Sequence, residues 1–263
     1  MTRGLLQLAI AVHAGGAALS FLGEMRKRGA LSRAGVLALA AAFVLELAVI
    51  ALLAASGAAV PLRTGAEYLL VLGCFVLALH LLLVLGRGLP GIALVLPVAS
   101  AAMVAAALLL PPAPATAEEL AQSGWFVAHT IVATAGMAAL AVAFAMSVLF
   151  LVKDRALKHK SSPGMLERFP PLETIDRVGF HAMLWGFSLL TLGIATGLAM
   201  QAELHRPLWR WSAKEIFPIL AWIVFAFLLT VRFSHGVSGR RSAVLAIAGF
   251  ALGILTILGM PHG

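Results

Sequence analysis

Long stretches of apolar residues alternate with short polar or Pro/Gly-containing connections along the whole chain. A transmembrane helix needs about 20 apolar residues to cross roughly 30 Å of hydrocarbon. The pattern therefore predicts an all-α integral membrane bundle of about eight transmembrane helices. The predicted spans are residues 4 to 22, 34 to 56, 66 to 86, 90 to 110, 124 to 152, 178 to 202, 215 to 234 and 242 to 260.

The apolar stretches fill most of the chain, so residues 1 to 263 are expected to form a single transmembrane domain without a soluble part. A Pro-rich connection at residues 111 to 124 separates four N-terminal spans, within residues 1 to 110, from four C-terminal spans, within residues 124 to 263. The first apolar run lacks the basic start and the cleavage site of a signal peptide, and we interpret it as the first span.

The composition agrees with a membrane location. Hydrophobic residues make up 62% of the chain and charged residues only 11%, whereas about a quarter of the residues in soluble domains are charged. The formal net charge of +8 would suggest a nucleic-acid partner in a soluble protein. In a membrane protein the same excess must first be compared with the topology.

The basic residues gather on one side of the predicted bundle. If both termini lie on the same side, the connections after spans one, three, five and seven lie on the opposite side. Those connections hold most of the Lys and Arg residues: Arg26, Lys27, Arg28, Arg33, Arg87, Lys153, Arg155, Lys158, Lys160, Arg168, Arg177, Arg232, Arg240 and Arg241. By the positive-inside rule they face the cytoplasm, so both termini face outward and no nucleic-acid partner is needed. The expected location is the bacterial cytoplasmic (inner) membrane, as a multi-pass protein.

The sequence offers little for covalent chemistry. Cys74 is the only cysteine, so there is no disulfide framework and no Cys-x-x-Cys-His site for covalent haem attachment. No nucleophile with a base, Gly-rich phosphate loop or carboxylate pair occurs at catalytic spacing. We therefore expect a protein that is not an enzyme.

Histidines are the main candidates for function, because an ionisable side chain in hydrocarbon usually faces a partner, a ligand or a cavity. His129 lies near the outer end of span five, at a depth of about 7 Å for a rise of 1.5 Å per residue. His262 follows the outer end of span eight, and His205 lies in the outer connection between spans six and seven.

Aromatic and basic residues share this outer side with the histidines. A flat, apolar, anionic macrocycle such as haem would suit tryptophan faces, two imidazoles and basic groups for its propionates. Alternatively, tryptophans and basic residues simply anchor helices at the membrane interface. The residues concerned are Trp125, Trp209, Trp211, Arg206, Arg210 and Lys214.

A second set of polar residues lies deeper. His80 and His181 are near the predicted inner ends of spans three and six, where they would bind a second haem or form a hydrogen-bonded pair. His13 and Glu46 fall near the middle of spans one and two, and we predict that they pair, because an unpaired carboxylate at mid-bilayer is costly. The Gly193-x-x-x-Gly197 motif predicts close packing of helix backbones.

The C-terminal half carries several motifs in a fixed order. They are Trp125-Phe-Val-Ala-His129, Phe169-Pro-Pro-Leu-Glu-Thr-Ile-Asp176 leading into Phe180-His181, Leu189-Leu-Thr-Leu-Gly-Ile-Ala-Thr-Gly197, Trp209-Arg-Trp-Ser-Ala-Lys-Glu215, Ala221-Trp222 and Ser238-Gly-Arg-Arg241. From about residue 124 onward the chain thereby resembles the cytochrome c assembly protein family. That family includes CcsA- and CcmC-like haem handlers and shorter HemX-like and YpjD-like relatives, which are the most similar in length.

The resemblance implies a haem site on the outer side. In the larger members of the family, an outward tryptophan-rich segment, the WWD motif, holds haem between two flanking histidines. The resemblance places His129 at the position of the first histidine, and His262 is the candidate for the second. The motif is incomplete here, because Trp209 and Trp211 remain but Ser212 replaces a common aspartate and the longer tryptophan run is missing.

The resemblance therefore implies a haem-handling membrane protein of the cytochrome c assembly type that ligates haem b without covalent attachment. His129 and His262 would ligate the iron of an outer haem, and His80 with His181 would form an inner stage. The expected partners are the lipid bilayer, haem, other cytochrome c maturation proteins and an apocytochrome.

Two other functions are compatible with the sequence. The first is a cofactor-free regulatory or scaffolding membrane subunit, for example one that controls haem synthesis. The second is a small-solute transporter that uses His13 and Glu46.

Overall fold

A computed structural model of the chain describes residues 2–55, 64–87, 95–110, 124–159, 169–205, 207–209, 211–236 and 239–258. Within these residues the protein is all-α, as predicted, and contains no strand. Its helices are α1 Thr2–Met25, α2 Gly29–Ala55, α3 Gly65–Arg87, α4 Leu96–Ala107, α5 Gly124–Lys158, α6 Leu172–Glu203, α7 Ala213–His235 and α8 Arg240–Leu258.

The protein is a multi-pass membrane protein. Among the described residues, 6 helices are long and apolar enough to cross a membrane, namely α1, α2, α3, α5, α6 and α7. Helix α4 has only 12 residues, and the first part of the predicted span at 90 to 110 lies outside the described residues. The total number of crossings and the outward orientation of the termini remain predictions.

Several helices extend beyond their predicted spans, and the extensions of α5 and α6 carry basic residues that the sequence placed in connections. Helix α5 continues to Lys158, because backbone hydrogen bonding does not stop where the apolar stretch does. Helix α6 begins at Leu172, directly after two prolines, where a helix readily starts. The assignment of Arg33, Arg177 and Arg232 to connections was wrong, since these residues lie within α2, α6 and α7.

The chain divides into two compact units. The first contains α1 to α4, and within it α1 packs against α2, α2 against α3, α3 against α4, and α4 back against α1. This closed arrangement is a four-helix bundle. The second contains most of α5 together with α6, α7 and α8.

Glycines bring α1 and α2 into backbone contact. A Cβ atom on Gly23 would overlap the backbone nitrogen of Ser32, and one on Gly16 would lie 2.9 Å from that of Leu39. On the facing helix, Gly35 is equally crowded by Ser20. Since lipid provides no hydrophobic force between helices, such close contact is a main source of their association.

Helix α6 packs against α5 through glycines that recur every seven residues. A Cβ on Gly186 would lie 2.6 Å from the side chain of Leu140, and one on Gly193 would lie 3.5 Å from Ala133. Gly179 similarly faces Met146. A seven-residue repeat keeps these positions on one helix face. As the glycine numbers rise along α6, the numbers of their partners on α5 fall, from Met146 through Leu140 to Ala133. Helices α5 and α6 therefore run antiparallel in a fixed register.

Helix α8 completes the second unit. The rings of Phe144 on α5 and Phe250 on α8 stack with their centroids 4.8 Å apart. A Cβ on Gly249 would lie 2.8 Å from the ring of Phe225 on α7. Helix α8 therefore packs against both α5 and α7.

The contact at Gly23 gives a direct test of the glycine packing. We expect Gly23→Ala to lower the free energy of unfolding by about 2 kcal/mol, because the added methyl group overpacks a backbone contact. Thermal unfolding in detergent micelles would measure the change.

Gly15→Ala on the same helix is the matched control, since no described atom lies within 4 Å of its Cβ position. It should be neutral or slightly stabilising, because alanine favours a helix more than glycine does. Equal effects of the two substitutions would contradict the proposed role of Gly23.

Candidate functional site

A hydrogen bond to the neighbouring helix holds His129. It lies on the second turn of α5, and its Nδ1 atom is 2.8 Å from the backbone carbonyl oxygen of Gly193 on α6. A carbonyl oxygen can only accept, so Nδ1 carries the hydrogen and donates it. In the neutral ring Nε2 is then unprotonated, and its lone pair is available to a ligand.

The register of α5 and α6 makes room for this ring. A Cβ atom on Gly197 would lie 3.1 Å from Cε1 and 3.2 Å from Nδ1 of His129. The two glycines of the Gly193-x-x-x-Gly197 motif therefore have different roles, since Gly193 supplies a hydrogen-bond acceptor and Gly197 supplies space. The sequence predicted close packing here but not the ring that occupies it.

Three tryptophans lie near the helix ends at the same end of the second unit. Trp209 and Trp211 meet edge to face, with ring centroids 5.4 Å apart and planes at 88°. The indole Nε1 of Trp209 is buried and has no hydrogen-bond partner among the described residues. Trp211 is 77% exposed and Trp125, in the first turn of α5, is 45% exposed. Aromatic faces are thus available at this end.

The tryptophan pair precedes the start of α7 directly. Ser212 is the N-cap residue, and its backbone N–H donates to a carboxylate oxygen of Glu215 at 3.4 Å. This Ser-x-x-Glu capping box fixes where the helix begins. Ser212, which stands where the family motif commonly has aspartate, therefore has a local structural role as a helix cap.

Three of the predicted outer-site residues, His262, Arg206 and Arg210, lie outside the described residues. His129 and the three tryptophans all belong to the second unit. The antiparallel course of α5, α6 and α7 brings the start of α5, the end of α6 and the start of α7 to one end. The outer site as a whole remains a prediction.

The predicted inner histidines lie in different units. His80 on α3 of the first unit is fully buried, and neither of its ring nitrogens has a hydrogen-bond partner among the described residues. His181 on α6 of the second unit is exposed, and its Nδ1 donates to the carbonyl oxygen of Arg177 at 2.8 Å. An inner haem site that contains both His80 and His181 remains a prediction.

The predicted pairing of His13 with Glu46 is confirmed. Nδ1 of His13 lies 2.7 Å from Oε1 of Glu46, and both residues are fully buried in the first unit. Nε2 of His13 lies 3.0 Å from the hydroxyl of Ser100, which itself donates to the carbonyl of Pro97. Because that hydroxyl has already donated its hydrogen, it accepts from Nε2–H. One further proton is shared between Nδ1 and Glu46, so the pair is neutral overall.

A second ion pair, which the sequence analysis missed, lies in the second unit. The guanidinium of Arg232 donates to both carboxylate oxygens of Asp176, at 3.0 and 2.5 Å, and to the hydroxyl of Ser242 at 2.9 Å. Its Cζ atom also lies 4.3 Å from the centroid of the Phe180 ring. These contacts join α6, α7 and α8. The signal available in the sequence was an aspartate and an arginine at the margins of two apolar stretches.

The ion pair borders a small cavity of about 20 Å³, which has room for about one water molecule. Ser147 and Met183 are among its other lining residues. Over the described parts of the chain, no group of three or more His, Cys, Asp or Glu side chains is arranged to hold a metal ion.

Comparison with known proteins defines the family. The model of the cytochrome C assembly protein family matches residues 33–261. The chain therefore belongs to the cytochrome c assembly protein family. The match begins in α2, so it also includes much of the N-terminal part, which precedes the family motifs found in the sequence.

The chain is also similar to individual proteins named cytochrome c biogenesis protein CcsA. The protein from Prochlorococcus marinus (strain AS9601) is 32% identical over 158 residues, which cover 53% of this chain and 51% of the relative. The protein from Chlamydomonas reinhardtii is 31% identical over 140 residues, which cover 53% of this chain and 38% of the relative. The chain thus spans about half or less of the length of these relatives. No solved structure gives a significant match.

The His13–Glu46 pair should stabilise the first unit through the interaction between the two side chains. We expect Glu46→Leu to lower the free energy of unfolding by about 2 kcal/mol, because it leaves a ring nitrogen of His13 buried without a partner. The double variant His13→Leu/Glu46→Leu should cost less than the sum of the two single variants. Unfolding in mixed micelles measures all three, and additive costs would contradict the coupling.

The Arg232–Asp176 pair depends on the shape of the guanidinium group. We expect Arg232→Lys to lower the free energy of unfolding by about 1 to 2 kcal/mol, because an ammonium group cannot reproduce the bidentate bond. Arg155→Lys, at an exposed position on α5, is the control and should be neutral. If Arg232→Lys were as stable as this control, the positive charge alone, without the bidentate geometry, would account for the stabilising effect of Arg232.

Proposed function

We propose that the protein binds haem b without covalent attachment in the bacterial cytoplasmic membrane and passes it on during cytochrome c assembly. In this proposal the protein handles the cofactor and does not itself catalyse a reaction. The observation that carries the proposal is the geometry of His129, whose Nδ1 donates to the carbonyl of Gly193, while its Nε2 has no hydrogen-bond partner among the described residues and can therefore ligate.

This geometry fits the requirements of an axial haem ligand. A histidine that ligates a metal commonly donates its other ring N–H to a carbonyl or carboxylate, which fixes the tautomer and makes the ligating nitrogen more basic. His129 meets this condition through its hydrogen bond to Gly193. Its position, about 7 Å from the start of α5 at 1.5 Å per residue, also suits a macrocycle held close to the membrane surface.

The residues around this end of the second unit suit the other parts of haem. His262 is the candidate for the second axial ligand, and the faces of Trp125, Trp209 and Trp211 suit the apolar ring. Arg206 and Arg210 are candidates to pair with the propionates, and the indole N–H of Trp209, which has no hydrogen-bond partner in the described part of the chain, is a further donor for a carboxylate. Bound haem supplies an iron that cycles between ferric and ferrous states.

A second haem site on the inner side would allow the protein to carry haem across the membrane to the outer site. His80 is fully buried, with both ring nitrogens lacking a partner among the described residues, and this supports its role as a ligand. In the proposal His80 binds haem before the outer site does, and the pairing of His80 with His181 in one site stays a prediction. If the outer site alone binds haem, the protein is a carrier or a sensor.

The names of its relatives support a role in maturation of c-type cytochromes. The CcsA proteins that it resembles are named cytochrome c biogenesis proteins. We propose other proteins of cytochrome c maturation, or an apocytochrome, as partners that receive the haem. Because the chain spans about half of the length of the Prochlorococcus relative, a cofactor-free regulatory or scaffolding subunit is the second candidate function.

The visible absorption spectrum of the detergent-purified protein tests haem binding. We expect a Soret band and, after reduction, sharp α and β bands, which would indicate iron with two imidazole ligands. His129→Ala should lower the haem content by on the order of tenfold or more, because an axial ligand is lost.

His205→Ala is the matched control, since His205 is an exposed histidine in the connection that follows α6. It should retain the wild-type spectrum. A wild-type protein without a Soret band, even after expression with a haem precursor, would favour the regulatory or scaffolding subunit. Equal loss of haem in both variants would exclude a specific role for His129.

A further inference from the structure

Two glycines of α6 contact the ring of His129, and a threonine between them shares the carbonyl to which the ring donates. The carbonyl of Gly193 accepts from Nδ1 of His129 at 2.8 Å. Gly197 lies beside the ring, where any Cβ would come within 3.1 Å of Cε1. Thr196 lies between them, and its hydroxyl is 3.1 Å from the same Gly193 carbonyl. Gly193 and Gly197 act on the imidazole directly, and Thr196 acts on it through the shared carbonyl.

The carbonyl of Gly193 selects the tautomer of His129. In a neutral imidazole only one nitrogen carries a hydrogen, and the hydrogen bond of that nitrogen determines which one it is. An acceptor 2.8 Å from Nδ1 keeps the hydrogen there. A ring released from this acceptor would be free to protonate Nε2 instead, and Nε2 could not then ligate iron.

Gly197 keeps the ring close enough for this bond. A separation of 3.1 to 3.2 Å between a Cβ and ring atoms is tighter than ordinary van der Waals contact. An alanine at this position would therefore push the ring away from α6 by a few tenths of an ångström. The hydrogen bond from Nδ1 would lengthen, and the basicity of Nε2 would fall.

Thr196 limits the strength of the same bond. Its hydroxyl donates mainly to the carbonyl of Leu192 at 2.8 Å, with Gly193 as a second acceptor at 3.1 Å. A carbonyl that accepts from two donors attracts each of them less strongly. Removal of the hydroxyl should therefore strengthen the bond from His129, with a smaller effect than the displacement at Gly197.

We propose that Gly193, Thr196 and Gly197 are positioning residues that keep His129 in the Nδ1–H form and set the donor strength of Nε2 toward haem iron. This inference rests on the proposed function. None of the three touches the iron in the proposal, and each acts through the imidazole. A stronger imidazole donor stabilises ferric iron, so these residues also set the reduction potential.

The tautomer is measured first, on haem-free protein. The full chain is labelled with ¹⁵N-histidine, and the signals of His129 are assigned by comparison with His129→Ala. We expect wild-type His129 to show a protonated Nδ1 and an unprotonated Nε2, and Gly197→Ala to show a shift toward the Nε2–H form. A wild-type ring protonated at Nε2 would overturn the inference, whatever the haem spectrum shows.

The reduction potential of the haem-loaded protein is measured second. We expect Gly197→Ala to raise the potential, because the weakened hydrogen bond makes Nε2 a poorer donor. Thr196→Val, which has nearly the same shape without the hydroxyl, should lower it by a smaller amount. Shifts of opposite sign are expected from control of one hydrogen bond, whereas general damage to packing would move both variants in one direction.

Two matched controls complete the experiment. Ser188→Ala removes a hydroxyl of α6 that donates only along its own helix, to Leu184 at 3.0 Å. Gly15→Ala adds a methyl group where no described atom lies within 4 Å. Both should leave the tautomer and the potential unchanged.

The outcomes separate this inference from the proposed function. Bound haem with the same potential and tautomer in wild type, Gly197→Ala and Thr196→Val would overturn the positioning role while haem binding stands. Absence of haem together with the expected tautomers would contradict the proposed function while the positioning of His129 stands. If Gly197→Ala does not fold, Thr196→Val and the wild-type tautomer still decide.

Discussion

Close approach of antiparallel helix backbones through glycine is the constraint on which the structure depends. In lipid the apolar side chains gain little by leaving their surroundings, so helices associate through tight van der Waals contact and through polar groups. Gly16, Gly23 and Gly35 provide that contact between α1 and α2, and the seven-residue glycine repeat of α6 provides it against α5. The position of His129 follows from the second of these contacts.

Each unit also holds a buried or half-buried polar pair whose charges cancel. In the first unit, Glu46 and His13 share a proton and Ser100 satisfies the far nitrogen. In the second, the carboxylate of Asp176 receives two bonds from Arg232. Polar groups inside a membrane protein are tolerated when they satisfy one another. Such pairs determine which helices pack together more specifically than apolar contacts do.

Much of this could be predicted from the sequence, and the failures have physical causes. The pairing of His13 with Glu46 followed from equal depth in adjacent spans and the cost of an isolated carboxylate. The Asp176–Arg232 pair was missed because Asp176 lies before the predicted span at 178 to 202, although the helix already begins at Leu172, and because Arg232, at the end of the predicted span 215 to 234, was counted with the basic connections. The family motifs were recognised in the C-terminal half, whereas the match of the family model begins at residue 33.

The glycine repeat of α6 restricts how the chain can change in length. Successive residues of an α-helix are rotated by about 100°, so one inserted or deleted residue between Gly179 and Gly193 would turn part of the repeat away from α5. The ring of His129 would then face a side chain in place of Gly197 and lose its acceptor. Length variation among natural variants should therefore be confined to the connections between helices, while the segments 129 to 146 and 179 to 197 keep a constant number of residues.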